Sequence, residues 1–542
     1  MSTQPEMLSC YNPATAEKFD EVAMATDEQI IAARREMGAA AHIWAAKPVK
    51  ERVRILRKLQ EVIIDAVDEI SEVINKDHGK SRQDAVGEVI MSVDKMHQYL
   101  KRAPKWLKKR SIPGGLYFFR KYSVEPRPYG VVALIGPWNY PFELIIPAAI
   151  SALLAGNTVL VKPSEVSAAT GVMIEELFQR VPELRPFVRF LHGDARVGAA
   201  IIRSRPDIIF LTGSTATGKI VAKAAAETMT PFLCELGGKD PMIVLEDADI
   251  RAAAKWGVWG AASYNAGQSC VAVERIYVVE EVYDEFLQAT IEEASKIRMG
   301  STDSKENPYH MGPLSFQRQL DIIDEQLQDA LEKGARIVYG GHREGMFMEP
   351  TVLVDVDHSM KVMWDETFGP LIPIMKVKDE THAIQLANHS DFGLNAYIWS
   401  SNHDRARRIA QQMDVGAVNI NDVMAHYPVS LLPFGGVKMS GNARTHGKEE
   451  VMQFTRLRSY AIGRPPIPFD LSIIIRYPNH YRLYTTILYM AFGVTPRQRT
   501  QPIRELWEEN EIVPKASKAV AATGALAALA ALAIGLFRAR KN

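Results

Sequence analysis

At 542 residues the chain is long enough for two or three domains, each with a sizeable core. Its 64 Lys+Arg and 64 Asp+Glu balance, leaving no net field to gather nucleic acid, and 47% hydrophobic with 24% charged residues excludes a disordered chain. Three cysteines, Cys10, Cys234 and Cys270, form neither a disulfide framework nor a clustered zinc set, so each is weighed as a thiol in a reducing compartment.

Residues 1–20 carry no apolar signal core, so export by a cleaved signal peptide is not expected. Over residues 51–75, Val53, Leu56, Leu59, Ile63, Ile70 and Ile74 recur at helical spacing and predict one amphipathic outer helix. Residues 110–127, with a Pro-Gly-Gly turn and aromatic strand residues, predict a projecting hairpin. From Val131 the period changes. VVALIG, TVLVKP, VRFLHG and IIFLTGS read as buried strands, alternating with helices over 142–155, 168–180, 196–203 and 215–227. This alternation predicts an α/β fold, a doubly wound parallel sheet that binds ligands at the carboxyl ends of its strands. A second α/β unit is expected over 236–442, and an extension and linker over 464–518.

The chain ends differently. Residues 519–537, AVAATGALAALAALAIGLF, carry no charge and run into Arg538, Arg540 and Lys541. That length fits one membrane span of roughly 20 residues, its basic end on the cytoplasmic side. The plain alternative is an Ala-rich helix packed on protein.

Three segments carry candidate chemistry. Cys270 sits in YNAGQSC, a loop of small residues before the strand-like VERIYV. A lone cysteine is more often a small buried hydrophobe than a nucleophile. Glu235, in CELGGKDP, ends a strand before paired glycines; beside a thiol it could serve as general base for a water. Asn139, in LIGPWNYPF, lies at a strand-to-helix junction, aimed at a ligand or simply capping the helix. A fourth stretch, FLTGSTATGKIV, matches G-x-x-x-x-G-K of a nucleotide-triphosphate loop, except that Ile220 stands where Ser or Thr would bind Mg²⁺.

Taken together, PWNYP, VKPSE, FLTGS, ELGGKDP, NAGQSC, ETFGP and PFGGVKMSG resemble, in this order, the aldehyde dehydrogenase superfamily, over roughly residues 12–458. The resemblance implies that Cys270 attacks an aldehyde, that Asn139 and the Cys270 N–H hold the oxyanion, that hydride passes to a nicotinamide, and that Glu235 activates the water releasing the acid. No metal is implied. It implies NAD as cofactor, with NADP possible in the same site, bound by Ile135, Trp138, Lys162, Ser164, Glu165, Gly213, Ser214, Gly218, Glu366 and Phe368. Glu165 would accept the ribose hydroxyls and disfavour a 2′-phosphate. Asn421 and residues 433–441 match loops closing the substrate side. Under this reading Gly213-Ser214 is a dinucleotide turn and Ile220 faces the sheet as core.

The implied organisation is a cofactor domain over 1–109 and 128–235, a catalytic domain over 236–442, and an oligomerisation arm over 110–127 and 443–463 making a homodimer or homotetramer. The hydrophobic tail resembles membrane-anchored fatty aldehyde dehydrogenases by position alone. The expected function is NAD-dependent oxidation of an aldehyde, long-chain or otherwise apolar, at a membrane with the catalytic part in the cytoplasm. Against it stand a soluble-type enzyme of a small aldehyde, a P-loop NTPase, and a non-catalytic membrane scaffold.

Overall fold

The computed structural model describes residues 6–115, 120–301, 309–463, 485, 488–489 and 492–500. Residues 519–537, expected to cross a membrane, lie outside them, as does most of 464–518. Among the described residues no helix is long and apolar enough to cross a membrane. The chain divides into two units, Met1–Leu107 with Arg127–Arg456, and Lys108–Pro126 with the chain from Leu457 onward.

The first unit holds two large sheets. In the first, strands β1 (Val131–Ile135), β2 (Thr158–Lys162), β3 (Val188–Phe190), β4 (Ile208–Thr212) and β5 (Phe232–Glu235) are all parallel, in the order β3-β2-β1-β4-β5. Side chains alternate across a strand, and both faces here are covered, which is why these runs are apolar without a break. Val132, Leu134, Val159, Val161 and Phe210 join one core, and Val131, Ala133, Leu160, Ile209 and Leu211 the core on the opposite face.

Helices α1 (Asp27–Ala46), α7 (Ala195–Arg203) and α8 (Thr215–Ala226) supply the second of these cores. Helices α2 (Val49–Asp65), α3 (Val67–His78), α4 (Arg82–Trp106), α5 (Ile146–Ala155) and α6 (Ala168–Gln179) supply the first. The single helix expected over 51–75 is therefore two. The backbone leaves the helical region at Ala66 (φ −97°, ψ 12°), so α2 and α3 point their apolar stripes along separate axes.

The second sheet comprises β6 (Asp240–Val244), β7 (Val273–Val279), β8 (Arg336–Tyr339), β9 (Thr351–Val354), β10 (Leu371–Val377), β11 (Asn395–Trp399) and β12 (Ala417–Ile420). Their order is β8-β9-β10-β7-β6-β11-β12, parallel except for the β8–β9 pair. Residues 443–456, expected in the arm, belong to the first unit. Ala443, Val451 and Phe454 are buried in the core of the first sheet, and Asn157 Nδ2 donates to the Phe454 carbonyl at 3.0 Å, which ties this segment to the first unit. Arg110–Ile112, Lys121–Pro128 and Thr455–Ile462 form a three-stranded sheet, so the expected hairpin is present and antiparallel.

The turn after β4 answers the P-loop question. Ser214 caps α8 by accepting the Thr217 N–H at 3.2 Å, and a Cβ on Gly218 would come within 2.8 Å of Leu236, so that glycine brings helix and strand together. Ile220 does not face the sheet. It is 70% exposed, because the buried stripe of α8 falls on Gly218, Val221 and Ala225.

Candidate functional site

Strand register brings the motifs to one edge. Ile135 pairs with Lys162 on one side and Leu211 on the other, and Thr212 pairs with Glu235, so β1, β2, β4 and β5 end side by side. Just past β1 lies Asn139, 4% exposed. It is not a helix cap, since α5 starts only at Ile146 with no side-chain cap bond. Its carbonyl accepts from Lys80 Nζ at 2.7 Å and from Asn265 Nδ2 at 3.2 Å, and its own amide donates to the Gln268 carbonyl at 3.3 Å. Lys80 is pinned in turn by Glu88 at 2.6 Å, with both side chains fully buried, and the other Glu88 oxygen accepts the Phe142 and Glu143 N–H groups at 3.1 Å. Such a pair fixes geometry more than it stabilises the fold, because desolvation offsets much of its attraction.

The loop carrying Cys270 is built under backbone strain. A π-helical turn, Trp259–Ser263, runs into Asn265 and Ala266, both at φ 53°, and Gly267 at φ 72°. Left-handed conformations at non-glycine residues persist only when their surroundings over-determine them. Asn265 Nδ2 donates to the Gln268 carbonyl at 2.9 Å, Gln268 Nε2 returns a bond to the Asn265 carbonyl at 3.1 Å, and Gln268 Oε1 accepts the Ser315 N–H at 2.9 Å. A Cβ on Gly267 would lie 2.4 Å from the Gly369 carbonyl oxygen, so only glycine fits there. The loop thus presents Cys270, partly exposed, at the wall of a cavity of about 280 Å³.

Glu235 ends β5 with 2% exposure, and its Oε1 has no hydrogen-bond partner. The glycine-rich segment at 433–441 latches across this strand end. The Leu236 N–H donates to the Ser440 carbonyl at 3.0 Å, and a Cβ on Gly441 (φ 110°) would strike the Cys234 carbonyl at 2.3 Å. Cys234 is held by Asn442, whose Oδ1 accepts its N–H at 2.9 Å. Asn421 does not reach the cavity wall. It clasps Ser400, accepting its N–H at 2.9 Å and donating to its carbonyl at 2.8 Å, while the next residues, Asp422 and Val423, line the cavity.

Negative charge converges on the thiol. Burial pushes the Cys270 thiol well above its ordinary value, and Glu235, Glu366, Asp240 and Glu143 push it further. The Glu235 carboxyl is likewise raised by burial, then by Glu366 and Glu143, while Lys95 pulls it down. Burial, helped by Glu274, raises Glu366 to about 8. Burial and the neighbouring carboxyls thus disfavour the ionised forms of both thiol and carboxyl, a pattern associated with catalytic acids and bases.

The remaining predicted residues lie around this edge. Lys162 is buried, donating to the Pro163 carbonyl at 2.9 Å and to Glu165 Oε2 at 3.2 Å, and Ser164 caps the short turn after it. The Gly213 N–H donates to the Glu235 carbonyl at 3.1 Å, with Ser214 opening α8, a helix start that favours an anion. Glu366 Oε1 accepts the Gly238 N–H at 2.8 Å, and a Cβ on Gly237 would lie 2.2 Å from Glu366 Oε2. Trp138 meets Phe368 edge-on at 5.4 Å. This cradle, with close backbone approach, a helix start, a Lys–Glu pair and an aromatic edge, fits a dinucleotide.

Aromatic rings line much of the cavity: Tyr140, Trp256, Trp259, Tyr264 and Tyr427, with Met424 beside them. Among the described residues Asp422 is the one charged residue on its wall. Reading the sequence missed these rings, although Trp256 and Trp259 stand at helical spacing. It also missed the buried ions behind the site, Lys80–Glu88, Lys95–Glu143 and Lys239–Glu274. Their partners sit on different elements, where no periodicity links them; Lys239, in ELGGKDP, and Glu274, in VERIYV, fell inside quoted stretches but nothing in the sequence paired them.

Comparison with known proteins gives the following. Residues 1–460 match the aldehyde dehydrogenase family. The chain is 42% identical over 469 residues to a 4,4'-diapolycopene aldehyde oxidase of Methylomonas sp, covering 86% of this chain and 87% of that one. It is 35% identical to a succinate-semialdehyde dehydrogenase [NADP(+)] of Deinococcus radiodurans, over 84% of this chain and 94% of that one. Among solved structures, an NADP-dependent glyceraldehyde-3-phosphate dehydrogenase from Bacillus halodurans C-125, complexed with NADP, superposes with a TM-score of 0.80 at 32% identity, covering 84% of this chain and 96% of the other.

The raised Glu235 carboxyl has a consequence for stability. A group whose folded pKa exceeds its unfolded value, about 4.3 for Glu, stabilises the protonated fold, and that contribution fades as pH rises through the folded value. Glu235→Gln removes the ionising group, so the variant's Tm should be close to the wild type at or below about pH 4.3 and should exceed it increasingly as pH rises above that value. Parallel thermal melts across that range check this; a constant difference would mean that Glu235 does not titrate as described.

Proposed function

Since the chain belongs to the aldehyde dehydrogenase family and oxidises an aldehyde with NAD(P), we propose that its substrate is an uncharged, apolar aldehyde seated in the aromatic cavity against Cys270. The observation that carries this reading is the cavity wall, which among the described residues is mostly aromatic and aliphatic, with Ser269, one acidic residue and no cation. Succinate semialdehyde carries a carboxylate, and among the described residues this wall has no cation to pair with it. A carboxylate about 8 Å from Asp422 would be repelled by roughly 2 kcal/mol at an effective dielectric of about 20.

In this reading the Cys270 thiol gives its proton to water as Sγ bonds to the aldehyde carbon, and the C=O π pair moves onto oxygen, giving the thiohemiacetal anion. The Asn139 amide and the Cys270 N–H stabilise the oxyanion, and losing one such donor typically costs about 10²–10³ in rate. When bound, the nicotinamide cofactor supplies the acceptor for the hydride that leaves the former aldehyde carbon. The carbon then remains on Cys270 as a thioester. Glu235, its Oε1 unpartnered, takes a proton from water, whose oxygen attacks the thioester carbon and releases the acid and the thiol. The cofactor would be held by Ile135, Trp138, Lys162, Ser164, Glu165, Gly213, Ser214, Gly218, Glu366 and Phe368. Glu165, its carboxylate beside Lys162, supports a preference for NAD.

A panel of aldehydes of matched length, neutral or ending in a carboxylate, tests the substrate class with NAD and NADP in parallel. Neutral members should be favoured at least about tenfold in kcat/KM, within the repulsion argued above, and Cys270→Ala should form no NADH from any of them. A preference for the acid-bearing aldehydes would overturn the substrate reading, and activity in Cys270→Ala the nucleophile.

The charge-free run at 519–537 and the basic residues after it support a second element, a C-terminal membrane anchor that keeps the catalytic unit on the cytoplasmic face, where apolar aldehydes partition. Deleting residues 519–542 should move the protein from the membrane pellet to the supernatant with kcat retained; an unchanged distribution would remove the anchor from the account.

A further inference from the structure

Glu274 stands on β7, four residues beyond Cys270 and 4% exposed. Its two oxygens take three donors. Oε2 accepts from Lys239 Nζ at 2.6 Å and from the Thr367 N–H at 3.0 Å, and Oε1 accepts from the Phe368 N–H at 2.9 Å. Lys239 also donates to Thr367 Oγ1 at 2.9 Å, and that hydroxyl donates to Gln326 Oε1 at 2.7 Å. The carbonyls of the same turn are held from its other side. Gln326 Nε2 donates to the Glu366 carbonyl at 3.1 Å, and Gln319 Nε2 to the Thr367 carbonyl at 2.8 Å, both from the helix Gln317–Glu332.

The turn 366–368 is therefore fixed at both of its inner N–H groups and two of its carbonyls, and it needs to be. Phe368 lies at φ 54°, an uncommon conformation for an aromatic residue, retained only when the surroundings impose it. Two side chains meet the cofactor cradle from this turn: Glu366, on the Gly238 N–H, and Phe368, edge-on to Trp138. The carboxylate of Glu274 and the backbone N–H groups it binds make charge-assisted bonds, stronger and more directional than neutral ones.

We propose that Glu274, locked by Lys239, is the positioning residue of the cofactor clamp: it holds the 366–368 turn in its strained conformation and ties it to β7, the strand that follows the Cys270 loop. The inference rests on the aldehyde dehydrogenase reading for the identity of the ligand. It goes beyond that reading in giving a role to two residues that touch neither substrate nor cofactor. Glu274→Gln keeps shape and one acceptor but turns an NH₂ toward either Lys239 and Thr367 or Phe368, setting donor against donor. The turn then loses at least one of its bonds and Phe368 relaxes.

The test is cofactor binding measured apart from turnover, by the fluorescence of titrated NADH, alongside steady-state kinetics of the full chain. Wild-type NADH formation from an aldehyde checks the underlying reading on its own. In Glu274→Gln the Kd for NADH should rise on the order of tenfold, the loss of one charge-assisted bond, while the KM for aldehyde stays within about twofold. Thr367→Val removes only the hydroxyl that joins Lys239 to Gln326 and buries no charge; it should raise the same Kd by a smaller factor, which keeps the test open if Glu274→Gln does not fold. An unchanged NADH Kd in a folded Glu274→Gln protein, or in Thr367→Val when Glu274→Gln does not fold, would overturn the proposal. So would equal loosening of aldehyde and cofactor, which is what a merely structural role produces.

Discussion

The rest of the structure is arranged around one difficulty, the crowding of carboxylates about a single thiol in a buried site. Glu235, Glu366, Asp240 and Glu143 all raise the Cys270 thiol. Left uncompensated, four such groups would not stay ionised away from water. The fold meets this with buried lysines set one layer back. Lys95 binds Glu143, and Lys239 is tied to Glu274 behind Glu366. Lys80 braces the backbone of Asn139 instead of any charge at the centre. Burial and these neighbours therefore disfavour ionisation of the thiol and of Glu235, and a ligand that alters the field shifts that balance.

The same economy governs the backbone. A nucleophile at a cavity wall needs a loop that turns sharply and exposes one side chain, and NAGQSC does this with three consecutive left-handed residues. The strain is balanced by reciprocal bonds between Asn265 and Gln268 and by the carbonyl of Gly369 pressing where Gly267 has no side chain. Because Gly369 follows the 366–368 turn, the Cys270 loop and that turn are packed directly on one another. Glu274 joins them a second time through β7.

How legible this was depended on the kind of signal. The parallel strands of the first sheet could be read from unbroken apolar runs, since burial on both faces leaves no polar alternation to confuse them. Cys270, Glu235 and Asn139 stood out because order and spacing of short motifs survive without knowledge of contacts. Ile220 was misread: a β-branched residue two positions after Gly218 looks like core, yet the glycine itself occupies the buried stripe of α8. The break at Ala66 was invisible because the apolar period continues through it, and the 443–456 segment was assigned to the arm because its docking on the first sheet is a long-range contact. The buried Lys–Glu pairs could not be seen at all, as a charged residue on a helix reads as a solvated face until its partner is placed opposite.

The central claim is that Cys270 carries the acyl group and Glu235 releases it. It is tested most directly by intact-protein mass spectrometry of Glu235→Gln mixed with a neutral aldehyde and NAD. Because this variant keeps the nucleophile and the oxyanion donors, it should accumulate one acyl group per chain, located by digestion to Cys270, after a single burst of NADH. Steady turnover without an adduct, or an adduct on another residue, would contradict the account.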